Sequence, residues 1–156
     1  MDDLGKVCSC FGHLDFEITK EIENRTWLEI KFALCMGVRT FLFGGRSTFD
    51  DLCYKIVTKI KKQFPVYDIK RVFCFPLAKH LKSPPPWYKP KEYEKVVCPL
   101  KKFDGWYRSL FFRNMAMIDR SEIVLFCVEE RENSGAFKTY KYALSQHKEI
   151  VNVLLK

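Results

Sequence analysis

The chain reads as a three-layer α/β fold: a mainly parallel sheet of about five strands, covered by helices on both faces. Three observations predict it. Short apolar runs alternate with longer segments of helical period. Glycine, proline or small polar residues follow most of those runs, at Gly12, Gly44-Gly45, Pro76 and Asn133-Ser134-Gly135. The alternation persists from Val7 to Leu154 with no internal repeat and no low-complexity tail.

Val7 to Phe11 is the first strand, closed by Gly12-His13. A helix is expected to begin at Asp15-Phe16-Glu17-Ile18-Thr19 and run to about Met36, with Ile22, Leu28, Phe32 and Leu34-Cys35 as its apolar positions and Gly37 as its stop. Val38 to Phe43 is the second strand. Ser47-Thr48 starts a second helix, whose Phe49, Leu52, Cys53, Ile56, Val57 and Ile60 form one stripe and which ends near Phe64-Pro65. Ile69 to Phe75 is the third strand. The segment 77–104, with its Ser83-Pro84-Pro85-Pro86-Trp87-Tyr88-Lys89-Pro90 run, has no sustained period and reads as a long irregular loop of the kind that binds or covers a site. A helix from Trp106 to Ile118, a strand from Ile123 to Val128, a helix from the N-cap Ser134 to about His147 and a strand from Glu149 to Leu154 complete the order.

A length of 156 residues suits one domain, 1–156, with an adequate core. No apolar run approaches the roughly 20 residues of a membrane span, and Met1-Asp2-Asp3-Leu4 does not open like a secretory signal, so a cytoplasmic protein without membrane partners is expected. The seven cysteines are odd in number and sit mostly among apolar residues, which reads as small buried hydrophobes. With no C-x-x-C pair and with His13, His80 and His147 scattered, no metal site is expected. The net charge of +8 suits anionic partners, but the lysines spread from Lys59 to Lys102 among prolines and aromatics, so a nucleic-acid groove ranks behind a solvated surface.

In an open α/β sheet, ligands sit beyond the carboxyl ends of the strands. The loops there carry Gly12-His13, Gly44-Gly45-Arg46-Ser47 and Ser134-Gly135. Glycines let a backbone approach a ligand, the first N–H groups of a helix attract anions, and Arg46 adds a planar, forked cation. Neither G-x-x-x-x-G-K-[ST] nor G-x-G-x-x-G is present, so no ATP or NAD cofactor is expected, and without a G-x-S-x-G elbow Ser47 has no claim as a nucleophile. His13 is either a ligand or acid–base group or a loop tie. Asp50 either favours a helix N-terminus or orients Arg46 or a ribose hydroxyl. Arg113, with Asn114 in an apolar helix, either reaches a phosphate or pairs with Asp119 or Glu122. Trp87, Tyr88, Tyr93, Trp106 and Tyr107 either stack on a base or anchor packing.

Cys10-Phe11-Gly12-His13, the run from Phe43 to Leu52, Arg113-Asn114-Met115-Ala116-Met117-Ile118-Asp119-Arg120-Ser121-Glu122 and the run from Ser134 to Ala143 resemble, in order and spacing, the motifs of the Rossmann-like SLOG superfamily. That superfamily includes the LOG phosphoribohydrolases and the DNA-processing protein DprA, and the resemblance points to its small YpsA- and YoqJ-like group. The resemblance implies a nucleotide or nucleotide-derived ligand held by Gly12, His13, Gly44, Gly45, Arg46, Ser47, Asp50, Arg113, Asn114, Ser134 and Gly135, and suggests signalling in phage–host conflict as a setting. Leu14 replaces the arginine that usually follows His13, and Ala136 replaces a threonine. Thr139 stands where the LOG enzymes have a catalytic glutamate. A binding module without turnover is therefore the leading expectation. An N-glycosidic hydrolase or transferase using Asp50 or Glu129 is the alternative, and a nucleic-acid-binding protein using the basic aromatic loop is another. Leu110, Phe111 and Phe112 offer an apolar surface for a homodimer, as in relatives.

Overall fold

The computed structural model describes residues 4–100 and 106–155. Strand β1 spans Val7–Gly12, β2 Thr40–Phe43, β3 Lys70–Cys74, β4 Lys95–Val97, β5 Ile123–Cys127 and β6 Glu149–Asn152. Helix α1 spans Lys20–Cys35, α2 Thr48–Gln63, α3 Trp106–Arg120 and α4 Gly135–Leu144. The strands form one sheet in the order β4-β3-β2-β1-β5-β6, and every neighbouring pair is parallel. The chain moves outward from β1 to β4 and then crosses back to lay β5 on the other side of β1. The loops leaving β1 and β5 consequently part from each other, which opens a crevice at that point of reversal.

Alternation along β2 shows how both faces are filled. Phe41 and Phe43 enter the core shared with Ile22, Ile30 and Ala33 of α1 and Cys53, Ile56 and Ile60 of α2. Leu42 points the other way, to the core shared with Met117 and Ile118 of α3 and Ala143 of α4. Burial on both faces explains why these strands read as continuous apolar runs rather than as alternating ones. Among the described residues no helix is long and apolar enough to cross a membrane.

The helices start where side chains satisfy their first N–H groups. Ser47 Oγ accepts from Asp50 N at 2.9 Å to cap α2, and Ser134 Oγ accepts from Phe137 N at 3.2 Å to cap α4. Helix α1 begins at Lys20 rather than at Asp15, because Thr19 is the residue that caps it, accepting from Ile22 N at 3.2 Å. Its inward stripe also differs from the expected one. Ile22, Thr26, Ile30, Ala33 and Leu34 are buried, whereas Leu28, Phe32 and Cys35 face outward. Thr26 enters the core because its hydroxyl donates to Ile22 O at 2.7 Å.

The sheet has six strands where about five were expected, and the additional strand, β4, lies inside the segment 77–104. Its three residues are too few to show a period. What holds it is Arg71 of β3, a buried guanidinium that donates from Nε to Glu94 Oε1 at 2.9 Å and from Nη2 to Glu94 Oε2 at 2.7 Å. The rings before β4 face inward as well. Tyr88 lies 4.8 Å from Phe73 and 4.9 Å from Phe75 between ring centroids, and Tyr93 lies 5.2 Å from Phe73. Lys91 pairs with Asp51 of α2 at 2.7 Å. Residues 101–104 and the side chains of Trp106 and Tyr107 lie outside what is described.

Glu94→Ala removes both arms of this fork and leaves a buried guanidinium with the neutral hydroxyls of Thr58 and Tyr54 and, at 3.8 Å, the exposed carboxylate of Glu92. A loss of about 1–3 kcal/mol is expected, discounted for the partial exposure of Glu94. Urea titration should show a lower midpoint with an unchanged slope. An unchanged midpoint would refute the role assigned to the fork.

Candidate functional site

A cleft of about 690 Å³ opens at the carboxyl ends of β1, β2 and β5, on the side where α3 and α4 begin. All eleven candidate residues line it: Gly12, His13, Gly44, Gly45, Arg46, Ser47, Asp50, Arg113, Asn114, Ser134 and Gly135. Thr139 lines it too. Sharing a cleft does not give them one kind of task, and their partners separate the tasks.

Gly44 and Gly45 meet their own protein more closely than any approaching molecule. A Cβ on Gly44 would lie 2.6 Å from Arg113 Nη2, and one on Gly45 would lie 2.5 Å from Phe73 Cε2. Gly45 also has φ +71°, which disfavours any side chain. Their N–H groups turn to Asp50, whose Oδ2 accepts from Gly45 at 2.7 Å and whose Oδ1 accepts from Gly44 at 3.4 Å. The turn therefore forms an anion nest whose occupant is Asp50, a residue of its own chain. Asp50 neither orients Arg46 through an ion pair nor stands open to a ribose, since it is 3% exposed. Burial, with the Cys10 thiol beside it, pushes its pKa up to about 7, against the pull of the two N–H groups and Arg113.

Arg113 is equally buried and makes neither ion pair considered for it. Asp119 accepts from the Tyr142 hydroxyl, and Glu122 pairs with Arg120 at 3.6 Å. Arg113 instead donates from Nη1 to Gly44 O at 3.3 Å and to Cys74 O at 3.2 Å, tying the ends of β2 and β3 together. Its Nη2 donates to Asn114 Oδ1 at 2.9 Å, Asn114 Nδ2 donates to Thr139 Oγ1 at 3.3 Å, and Thr139 Oγ1 donates to Gly135 O at 2.9 Å. A polar relay thus crosses the cleft from the strand ends to the first turn of α4. Burial lowers the Arg113 pKa to about 10, so the group stays charged at neutral pH.

His13 is a loop tie. Its Nε2 lies 3.0 Å from Glu129 N and 3.3 Å from Glu129 O, and its Nδ1 lies 3.3 Å from Ser134 Oγ. Burial and the nearby Arg131 lower its pKa, so the neutral ring is favoured. Its two contacts join the loop after β1 to the loop between β5 and α4. Glu129 Oε1 accepts from Arg131 Nε at 2.6 Å, so the carboxylate is held by a cation of the cleft lining.

The sequence reading missed Arg108, Arg131 and Lys138, which line the cleft together with Arg46. Each sits within about five residues of a residue already singled out: Arg108 before Arg113, Arg131 before Ser134, and Lys138 after it. Phe11, Leu110, Phe111 and Phe112 supply the apolar part of the lining. Leu110, Phe111 and Phe112, expected as a dimer surface, thus line the cleft in the single chain. Among the described residues, Asp15 and Asp50 are the carboxylates on the lining. Among the described residues no three histidine, cysteine or acidic side chains stand together as a metal site would require.

The fold and site define a doubly wound α/β protein with a cationic, partly aromatic cleft at the reversal of strand order. No protein-family model matches the chain, and no curated protein matches it. Among solved structures, DNA processing protein A (DprA) from Streptococcus pneumoniae is similar to it, at a TM-score of 0.49 and 14% identity over 93% of this chain and 48% of that one. The chain spans about half the length of that protein.

The raised pKa of Asp50 has a consequence for stability. The group titrates near 3.8 in the unfolded chain and near 7 in the folded one. Between those values the folded state holds a proton that the unfolded state has lost. The stabilisation is therefore complete below about pH 4 and disappears as pH rises through 7. Asp50→Asn keeps an acceptor and cannot ionise, so its unfolding free energy should fall less between pH 5 and pH 8 than that of the wild type. Denaturant titrations at the two pH values measure this, and parallel slopes would show that Asp50 is ionised throughout.

Proposed function

We propose that the cleft holds a nucleotide or nucleotide-derived signal without turning it over, as a member of the SLOG superfamily in its small YpsA- and YoqJ-like group. One observation carries the reading. Four cations, Arg46, Arg108, Arg131 and Lys138, share a lining with Phe11, Phe111 and Phe112 at the reversal of strand order. Cations suit phosphate and flat apolar rings suit a base, and the volume of about 690 Å³ is that of a small-molecule pocket. The motif resemblance supports the same ligand class. Cytoplasmic location and a homodimer belong to this proposal too.

The binding reading is favoured over turnover by where the carboxylates are. N-glycosidic cleavage needs a carboxylate free to reach the ribose. Of the residues weighed for that role, Asp50 is buried with both oxygens held by Gly45 and Gly44, Glu129 is engaged by Arg131, and Thr139 has no acid; the other described carboxylate on the lining is the exposed Asp15. The basic loop also loses its appeal for nucleic acid, because Tyr88 and Tyr93 pack inward against Phe73, with ring centroids 4.8 and 5.2 Å away.

Calorimetric titration of the full chain with mono-, di- and cyclic nucleotides is expected to find at least one ligand. Arg46→Ala should weaken it by about tenfold or more, the scale of a charge-assisted contact. Incubation with nucleoside monophosphates should release no free base by chromatography. Failure of the whole panel to bind would reject the reading, and base release abolished by Asp50→Asn would replace it with the enzymatic one.

A further inference from the structure

The positive charge of the chain is concentrated in one part of the fold. Residues 52–100 hold eleven lysines and arginines against three acids, an excess of eight that equals the formal net charge of +8 of the whole chain. The rest of the sequence is balanced. In sequence these cations look scattered, but the fold gathers them at the β3–β4 end of the sheet, on α2 and on the chain that packs beside it. None of residues 52–100 lines the cleft.

Lys55, Lys59 and Lys62 recur at i, i+4 and i+7 of α2, opposite its buried stripe of Phe49, Cys53, Ile56, Val57 and Ile60, and all three are exposed. They cover about 10 Å of helix, roughly the length over which one strand of a duplex carries three phosphates. Segment 88–94 lies along the same helix. Tyr54 Oη donates to Glu92 O at 2.7 Å and Lys91 pairs with Asp51 at 2.7 Å, and the segment adds the exposed Lys89. The acids of this flank already have cations, since Asp51 meets Lys91 while Glu94 and Glu92 lie 2.7 and 3.8 Å from Arg71. No described acid pairs with Lys55, Lys59, Lys62 or Lys89.

We propose that this outer flank of α2, with segment 88–94 beside it, binds the phosphate backbone of double-stranded nucleic acid at a second site apart from the cleft. The inference does not rest on the nucleotide reading. A membrane surface would require apolar area among the charges. Here the apolar stripe of α2 is spent on the core, and the exposed Phe64, Val66 and Tyr67 lie past the end of the helix. A single strand would require rings on which its bases stack. The rings of this flank pack inward, Tyr54 on Phe43 and Tyr93, and Tyr88 on Phe73. A duplex needs neither, because its bases are paired and its phosphates lie outside. Charge alone reads no base, so the contact is tolerant of sequence.

The experiment measures fluorescence anisotropy of two labelled DNA duplexes of unrelated sequence, each about 20 base pairs long, against the full chain between about 50 and 200 mM salt. Both duplexes should bind with similar affinity, and the logarithm of that affinity should fall linearly with the logarithm of salt concentration. Lys55→Gln with Lys59→Gln should weaken binding at the lowest salt by about tenfold or more and flatten the slope by about 2. Lys20→Gln with Lys141→Gln, an equal loss of exposed charge outside the flank, should leave both quantities near wild type. Equal losses in the two variant pairs would overturn the assignment to α2, and so would a slope unaltered by the α2 pair. Absence of duplex binding at the lowest salt would overturn the proposal outright. Sedimentation with phosphatidylserine vesicles in place of duplex binding would replace it with a membrane surface. Each of these results leaves the nucleotide titrations of the cleft to stand or fall separately.

Discussion

The peptide of Gly44 stands between two buried charges, and the shape of the cleft depends on it. Its N–H faces the Asp50 carboxylate and its C=O accepts from Arg113. Each ion would be costly alone in so dry a place. Asp50 also takes the Gly45 N–H, and Arg113 also takes Cys74 O and the Asn114 amide, so neither is left without hydrogen bonds. Their charges attract across the glycine, which limits how far burial moves either pKa. A side chain at position 44 would displace the guanidinium, which explains why glycine is required there on packing grounds alone.

From that centre the order spreads in two directions. Through Asn114 and Thr139, Arg113 reaches Gly135, so the start of α4 is positioned by a charge at the ends of β2 and β3. Through Gly45 and Phe73, the turn is pressed against the aromatic group that also receives Tyr88 and Trp87. His13 closes the remaining gap, between β1 and the loop before α4. The residues that determine the cleft's form are thus largely distinct from those that present charge to its interior. Arg46, Arg108, Arg131 and Lys138 line the cleft but take no part in the ties that join Asp50, Gly44, Arg113, Asn114 and Thr139.

The division also explains what could be read from the sequence. Strand and helix order were legible because both sheet faces are buried and three helix starts carry Ser or Thr caps, which are local signals. Strand β4 was not, since its place depends on Arg71 meeting Glu94 across 23 positions of sequence. Leu28 and Phe32 misled because a helical period counts apolar residues and passes over Thr26, whose hydroxyl satisfies itself on Ile22 O. In the site, the glycines, Asp50 and Arg113 were visible as unusual residues at strand ends or in apolar runs. Their partners were not, because a polar residue explained by a buried carbonyl looks the same in sequence as one explained by a ligand.

That ambiguity bears directly on the choice between holding and cutting. A catalytic carboxylate must keep at least one oxygen available to the reacting atoms and must change its protonation or charge during the cycle. Asp50 has the raised pKa that such a group would want, and taken alone it would be a strong candidate. Its geometry points elsewhere, because moving it would release two backbone N–H groups and remove the anion nearest Arg113. The perturbation is better understood as the cost of using a carboxylate to bind the Gly44-Gly45 turn. A chain that cut a ribose bond would need its acid on the cleft side of that turn, where Arg46 stands.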